Sequence, residues 1–157
     1  MSLRKGLDRL AAFALLLAPP VLRVALALPF FRSALTKWEA PGVLSPAATY
    51  LFSDEFRLHL LGQAVPFPAP LMFAYIDGVL EILLPVLLLL GLATRISALG
   101  LLIMTGVIEL VVPEAWATYH LPWAAMALAL IALGAGPLSL DYLMTRRMGD
   151  SRPRSAS

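Results

Sequence analysis

The sequence predicts an all-α membrane protein built as a four-helix transmembrane bundle, and three observations carry that expectation. The 157-residue chain is 60% hydrophobic and 14% charged, with a mean hydropathy of +0.83. Soluble domains hold ~45–50% apolar and ~25% charged residues, and so short a chain has too little interior to hide the surplus. Four windows, residues 10–31, 69–92, 96–112 and 119–135, meet the need for ~20 mostly apolar residues per span. The last three windows are joined by short turns, which make antiparallel neighbours.

The first span follows Arg4, Lys5 and Arg9, a pattern shared with secretory signals. Its apolar run carries Arg23 and three prolines, and no small-x-small cleavage site follows an uninterrupted core, so a retained helix is expected. Residues 32–68 mix Trp38, Tyr50, Phe52, Phe56 and Phe67 with charged side chains and read as an interfacial outer loop. Within it, Ser53-Asp54-Glu55 is expected to open a short amphipathic helix. The Pro66–Pro70 stretch forces an extended approach to the second span. The third and fourth spans are short, so modest thinning of the bilayer or extra interfacial turns are expected. Residues 1–145 are read as one domain, and residues 146–157, polar and Arg/Ser-rich, as a disordered basic tail. No internal repeat is evident.

Basic residues set orientation. Arg4, Lys5, Arg9, Arg95, Arg146, Arg147, Arg152 and Arg154 fall on one side, and Arg32, Lys37 and Arg57 on the other. Eight against three places both termini in the cytoplasm. The absence of cysteine excludes disulfides, iron–sulfur clusters, thiolate catalysis and c-type haem. With His59 and His120 as the only histidines, no metal site is expected. No basic face carries interleaved exposed aromatics, so nucleic acid is not an expected partner.

The chemistry-bearing residues are the ionisable groups inside the spans. Arg23 lies near the middle of the first span, where a charge costs at least ~2.5–3.5 kcal/mol. Arg does not shed its proton and therefore needs partners. Asp77 and Glu81, at i and i+4, share one face of the second helix, and counting 1.5 Å per residue from the outer ends puts them near the depth of Arg23. Pro85 and Pro29 free the carbonyls of Glu81 and Ala25, which is tolerated where a polar cavity is lined. A second polar group is expected at the outer mouth, drawing on Lys37, Arg32, Glu109 and His120; Glu109 and His120 are the pair there best suited to moving a proton. An Arg23–Glu81 pair is equally consistent with fixing helix register, and Asp77 with simple charge balance. Trp38, Trp116 and Trp123 suit interfacial anchoring, with stacking on a quinone or substrate as the alternative. Ala125 and Ala129 suit close helix packing, and His59 reads as a loop residue. Ser139 is expected to cap a short terminal helix, with Asp141 at its N-terminal dipole.

These residues also carry a resemblance. Arg23, then Ala34-Leu35-Thr36-Lys37, then Asp77-Gly78-Val79-Leu80-Glu81-Ile82, then Leu90-Gly91-Leu92-Ala93-Thr94-Arg95 and finally Gly136-Pro137-Leu138-Ser139-Leu140-Asp141 follow the order seen in the DoxX family of small bacterial membrane proteins. The sequence departs from that pattern at Ser33-Ala34, where a Gly before the Lys is common, in a shortened Gly-Pro-Leu-Ser, and in a longer, more aromatic outer loop. The resemblance implies a four-helix bundle in the bacterial inner membrane. Some family members are subunits of quinone-linked oxidation systems, including thiosulfate:quinone oxidoreductases and terminal oxidases. By that likeness the chain is an accessory membrane subunit with a redox partner and a possible quinone ligand, rather than a self-sufficient enzyme. The alternative is a non-enzymatic scaffold, or a small transporter-like protein that binds a solute or proton and forms homo-oligomers.

Overall fold

The computed structural model describes residues 3–150. Helix α1 (Leu3–Lys37) is followed by a hairpin, β1 (Trp38–Ala40) with β2 (Val43–Leu44), and a short helix, α2 (Pro46–Tyr50). A π-helical turn (Leu51–Glu55) leads to a second hairpin, β3 (Arg57–Leu60) with β4 (Gln63–Pro66). Then come α3 (Pro70–Leu90), α4 (Thr94–Val111), two irregular turns over Pro113–Ala115 and Trp116–His120, α5 (Leu121–Leu133) and α6 (Leu140–Asp150). Four helical stretches, Leu3–Lys37, Pro70–Leu90, Thr94–Val111 and Pro113–Leu133, are long and apolar enough to cross a bilayer.

The helix ends follow from local chemistry. Pro70 occupies the first turn of α3, where its missing N–H is no loss. Gly91 ends that helix in the left-handed region, at φ 64°. There its N–H donates to the Leu88 carbonyl and the Leu92 N–H to the Leu87 carbonyl, closing a Schellman motif. Helix α1 runs through three internal prolines without ending. At ~1.5 Å per residue its 35 residues span roughly 52 Å, well beyond the ~30 Å of hydrocarbon. Residues 3–17 are exposed throughout, and the packed part of the helix begins near Pro19.

The bundle core joins Leu26, Ala27 and Phe30 of α1, Leu88 of α3, Ala98, Leu101 and Met104 of α4, and Ala127 and Leu130 of α5. Lipid tails are as apolar as these side chains, so close van der Waals packing holds the helices together. The three alanines, each fully buried, allow that approach. Ala125, expected on a packing face, is instead exposed and Ala129 is half-buried; Ala127, between them, makes the close contact.

Residues 38–69 fold into a cap over one end of the bundle. Ser45 ties its first hairpin to the end of α1: its N–H donates to the Lys37 carbonyl at 2.8 Å and its hydroxyl to the Thr36 carbonyl at 2.9 Å. The same hydroxyl accepts from the Ala48 N–H, so the helix in this cap opens at Ser45-Pro46. Ser53-Asp54-Glu55, expected to open that helix, instead closes the π-helical turn and feeds β3. The second hairpin turns at Leu61-Gly62, both with positive φ, which suits the right-handed strand twist. It is held to α4 by His59, whose Nδ1 donates to the Leu110 carbonyl at 3.1 Å. Phe52 and Phe67 pack on Ala74 and Phe73, seating the cap on α3.

At the opposite end, α6 carries Arg146 and Arg147 through to Asp150, so the chain is helical where a disordered tail was expected to begin. Ser139 supplies the start: its hydroxyl donates to the Gly136 carbonyl and accepts from the Tyr142 N–H. Residues 151–157 lie outside the described residues. Charge is sharply divided between the two ends. Among the described side chains, Arg4, Lys5, Arg9, Arg23, Arg95, Arg146 and Arg147 stand against Asp8 and Asp141 at the α6 end. At the capped end Arg32, Lys37 and Arg57 stand against seven carboxylates, from Glu39 to Glu114.

Candidate functional site

The intramembrane acids meet a lysine, not Arg23. Lys37, the last residue of α1, donates from Nζ to Asp77 and, at 2.6 Å, to Glu81. Asp77 and Glu81 share one face of α3, as their spacing requires. Their expected partner Arg23 sits fourteen residues before Lys37 on α1, roughly 21 Å away along the helix axis. The depth estimate placed the end of the first span at residue 31. The helix continues through Ser33 to Lys37, which lifts Lys37 to the level of the acids and drops Arg23 to the other end.

The triad forms one wall of a cavity of about 450 Å³. The rest of its lining includes Phe52, Phe56 and Phe67 from the cap, Phe30 of α1, Met104 of α4 and Trp123 of α5. Glu81 is nearly sealed, its side chain 3% exposed, whereas Asp77 keeps 24%. The Lys37 ammonium also lies 5.8 Å from the Phe52 ring centre. Ile76, Ile103 and Val107 line the cavity and are exposed on the outside of the bundle, so it reaches the lipid-facing side between α3 and α4. One ammonium shared by two carboxylates leaves a wall rich in acceptors. A ligand's polar end is therefore best held if it donates hydrogen bonds, while the remaining lining suits an apolar, aromatic body.

Trp38 shapes the site from behind. Its indole packs against Gly78, beside Asp77, where a Cβ would fall 2.8 Å from the ring, and it meets Tyr75 edge-on. Glu109 and His120 come together as expected, with Nδ1 and Oε2 2.6 Å apart. His120 is buried and its ring lies 5.5 Å from Trp123, which joins this pair to the cavity wall. Lys37 and Arg32 do not join them: Lys37 belongs to the triad and Arg32 is exposed. The aromatic roof was missed as such; the only signal for it was the density of phenylalanines in a loop.

Arg23 has a different task. It is buried, and its Nη2 donates to the Leu138 carbonyl at 2.6 Å. It lies against Gly91, where an added Cβ would come within 2.1 Å of Nη1 and 2.5 Å of Ser139 Cβ. The Asp141 carboxylate accepts from the Ala93 and Thr94 N–H groups at 2.8 and 2.9 Å, and the Asp141 N–H donates to the Gly91 carbonyl. Asp141 thus caps α4 across the bundle in addition to opening α6. Burial works to raise its pKa, but the hydrogen bonds from Thr94 and Ala93 and the charge of Arg23 hold it below the usual carboxylate value. Two sequence stretches far apart, Gly91–Arg95 and Gly136–Asp141, lock the end of the bundle around one buried arginine.

Four apolar spans packed around an aromatic-lined cavity with one charged wall define a multi-pass membrane protein. The sequence profile of the DoxX family matches residues 15–114, and the chain belongs to that family. A protein from Haemophilus influenzae described as "Uncharacterized protein" is 32% identical over 145 residues, covering 80% of this chain and 82% of that one. No solved structure matches the chain.

Proposed function

We propose that the chain binds a quinol of the membrane pool in the Lys37–Asp77–Glu81 cavity, as a membrane subunit or accessory of a quinone-linked redox system. The observation that carries this reading is an apolar, aromatic-lined cavity with one acceptor-rich polar wall and an opening toward lipid. A quinol matches each feature: hydroxyls that donate, a flat ring that stacks, and a tail that stays in the bilayer. Asp77, the more exposed carboxylate, accepts the hydroxyl. Lys37 holds both carboxylates in place, and its ammonium offsets the negative charge left on the quinol oxygen when that hydroxyl's proton moves onto Asp77. With no cysteine in the sequence, electrons are assigned to the quinol and a partner protein. The charge division between the two ends supports cytoplasmic termini in a bacterial inner membrane.

The test is extraction of quinone and quinol from protein purified in mild detergent, with retitration by a short-chain quinol. Wild-type protein is expected to retain close to one equivalent, and Asp77→Asn with Glu81→Gln to lose it. A wild-type protein that holds none and is not saturated by added quinol sinks the proposal, and leaves a scaffold.

A further inference from the structure

A second depression lies at the other end of the bundle, outside the cavity just described. It is a groove of about 740 Å³ between the start of α4, the loop after α5 and helix α6. Arg95, exposed in the first turn of α4, stands at its edge. Among the described residues Arg95 forms no ion pair; its guanidinium reaches the Ala132 carbonyl only at 3.4 Å. The acid in the groove, Asp141, is already engaged: both oxygens accept backbone N–H groups, and Arg23 lies nearby. A second cation, Arg146, is stacked over the Tyr142 ring at 5.4 Å, and Tyr142 also lines the groove. Below Arg95 the lining is Ile96 and Leu133, both exposed on the lipid-facing side.

We infer that this groove is a binding site for the phosphate headgroup of an anionic phospholipid. Three features select that ligand. Arg95, Arg146 and the buried Arg23 outnumber the one carboxylate there, Asp141, which leaves the groove a net positive charge, and a guanidinium fork suits phosphate oxygens. Ile96 and Leu133 line the groove and are also exposed apolar side chains, which gives acyl chains a path that a soluble phosphate does not need. The same end of the molecule holds seven cations against two carboxylates among the described side chains, so anionic lipids gather there before any one is seated. Arg95 makes the specific contact, Arg146 adds a second charge at the rim, and the buried Arg23–Asp141 lock keeps the groove open by fixing α6 to α4.

The experiment is native mass spectrometry of the full chain in detergent, titrated separately with phosphatidylglycerol and phosphatidylcholine. Wild-type protein is expected to bind one phosphatidylglycerol more tightly than phosphatidylcholine. Loss of one cation near a lipid surface is worth ~1 kcal/mol, so Arg95→Gln lowers phosphatidylglycerol affinity about fivefold and phosphatidylcholine affinity, where choline offsets the phosphate, by less. Arg4→Gln with Lys5→Gln, remote from the groove, weakens phosphatidylglycerol binding less than Arg95→Gln does and leaves phosphatidylcholine unchanged. Thr145→Trp, which fills the groove, weakens phosphatidylglycerol binding even if Arg95→Gln proves poorly folded. Three results overturn the inference: equal affinity for the two lipids, a larger effect from the Arg4 and Lys5 changes than from Arg95→Gln, or displacement of the lipid by inorganic phosphate in the millimolar range. The last would mark a site for soluble phosphate.

Discussion

Replacing Lys37 by methionine keeps an unbranched, apolar stem of similar length and removes one ammonium that serves two acids. In the wild-type protein Lys37 is 12% exposed, Glu81 3% and Asp77 24%. Removing one partner of a buried ion pair costs ~3–5 kcal/mol, because the other charge is left uncompensated. Glu81 meets that description fully; Asp77 keeps access to solvent or headgroups, and its share is smaller. The lower end of the range, ~3 kcal/mol, is therefore expected, roughly a hundredfold shift in the folding equilibrium. Neutralising the acids as well, in Lys37→Met with Asp77→Asn and Glu81→Gln, removes the buried charge and restores at least half of that loss. Unfolding by a denaturing detergent in mixed micelles, followed by tryptophan fluorescence, measures both variants, because Trp38 and Trp123 lie beside the site. A single variant within ~1 kcal/mol of wild type, or a triple variant no more stable than the single, would show that Lys37 does not hold the acids in the way described.

The lock at the other end makes its own predictions. Gly91→Ala puts a Cβ within 2.1 Å of Arg23 Nη1 at a left-handed backbone position, and a loss of over ~3 kcal/mol in the same unfolding assay is expected. Gly78→Ala forces the rigid Trp38 ring outward from 2.8 Å, costing ~1–3 kcal/mol and shifting tryptophan emission. Asp141 has a folded pKa below its unfolded value of 3.8, so its stabilisation is complete above that value and disappears as pH falls through the folded one. Asp141→Asn is thus less stable than wild type at pH 7, and melting curves taken at falling pH should show the gap closing below about pH 4. Alkaline phosphatase fused within the second hairpin is expected to be active in cells and a fusion after α6 inactive; the reverse pattern would invert the proposed orientation.

The helices were legible because a span is a property of composition over ~20 residues. The face shared by Asp77 and Glu81 was legible too, since it needs only the helical period. Their partner was not. Finding it depended on where α1 ends, and the charged Arg32 suggested an end six residues early, whereas Ser45 folds back to bond the carbonyls of Thr36 and Lys37 and keeps the last turn helical. An error of a turn and a half in one helix moves a side chain by roughly 9 Å in depth. It exchanged Arg23 for Lys37. The contact of Arg23 with Leu138, across 115 residues, leaves no local trace. Its two flanking stretches were visible as motifs but not as neighbours. The aromatic roof was hidden for the same reason: Phe52 and Phe67 gain meaning only when the cap folds over Ala74.

Photolabelling with an azido-quinone tests most directly whether the charged cavity is the ligand site. Purified protein in detergent or nanodiscs is irradiated with the probe, digested and mapped by peptide mass spectrometry. Label is expected on residues lining the cavity, in the stretch from Leu51 to Phe56, at Phe67 or Phe73, or at Trp123, and competed by excess quinol. Asp77→Asn with Glu81→Gln should lose that label, and the triple variant Lys37→Met, Asp77→Asn, Glu81→Gln, which leaves no unpaired buried charge, should lose it too while melting closer to the wild type. Label confined to exposed residues such as Leu89 or Ile96, unaffected by quinol or by the double substitution, would contradict quinol binding at Lys37, Asp77 and Glu81.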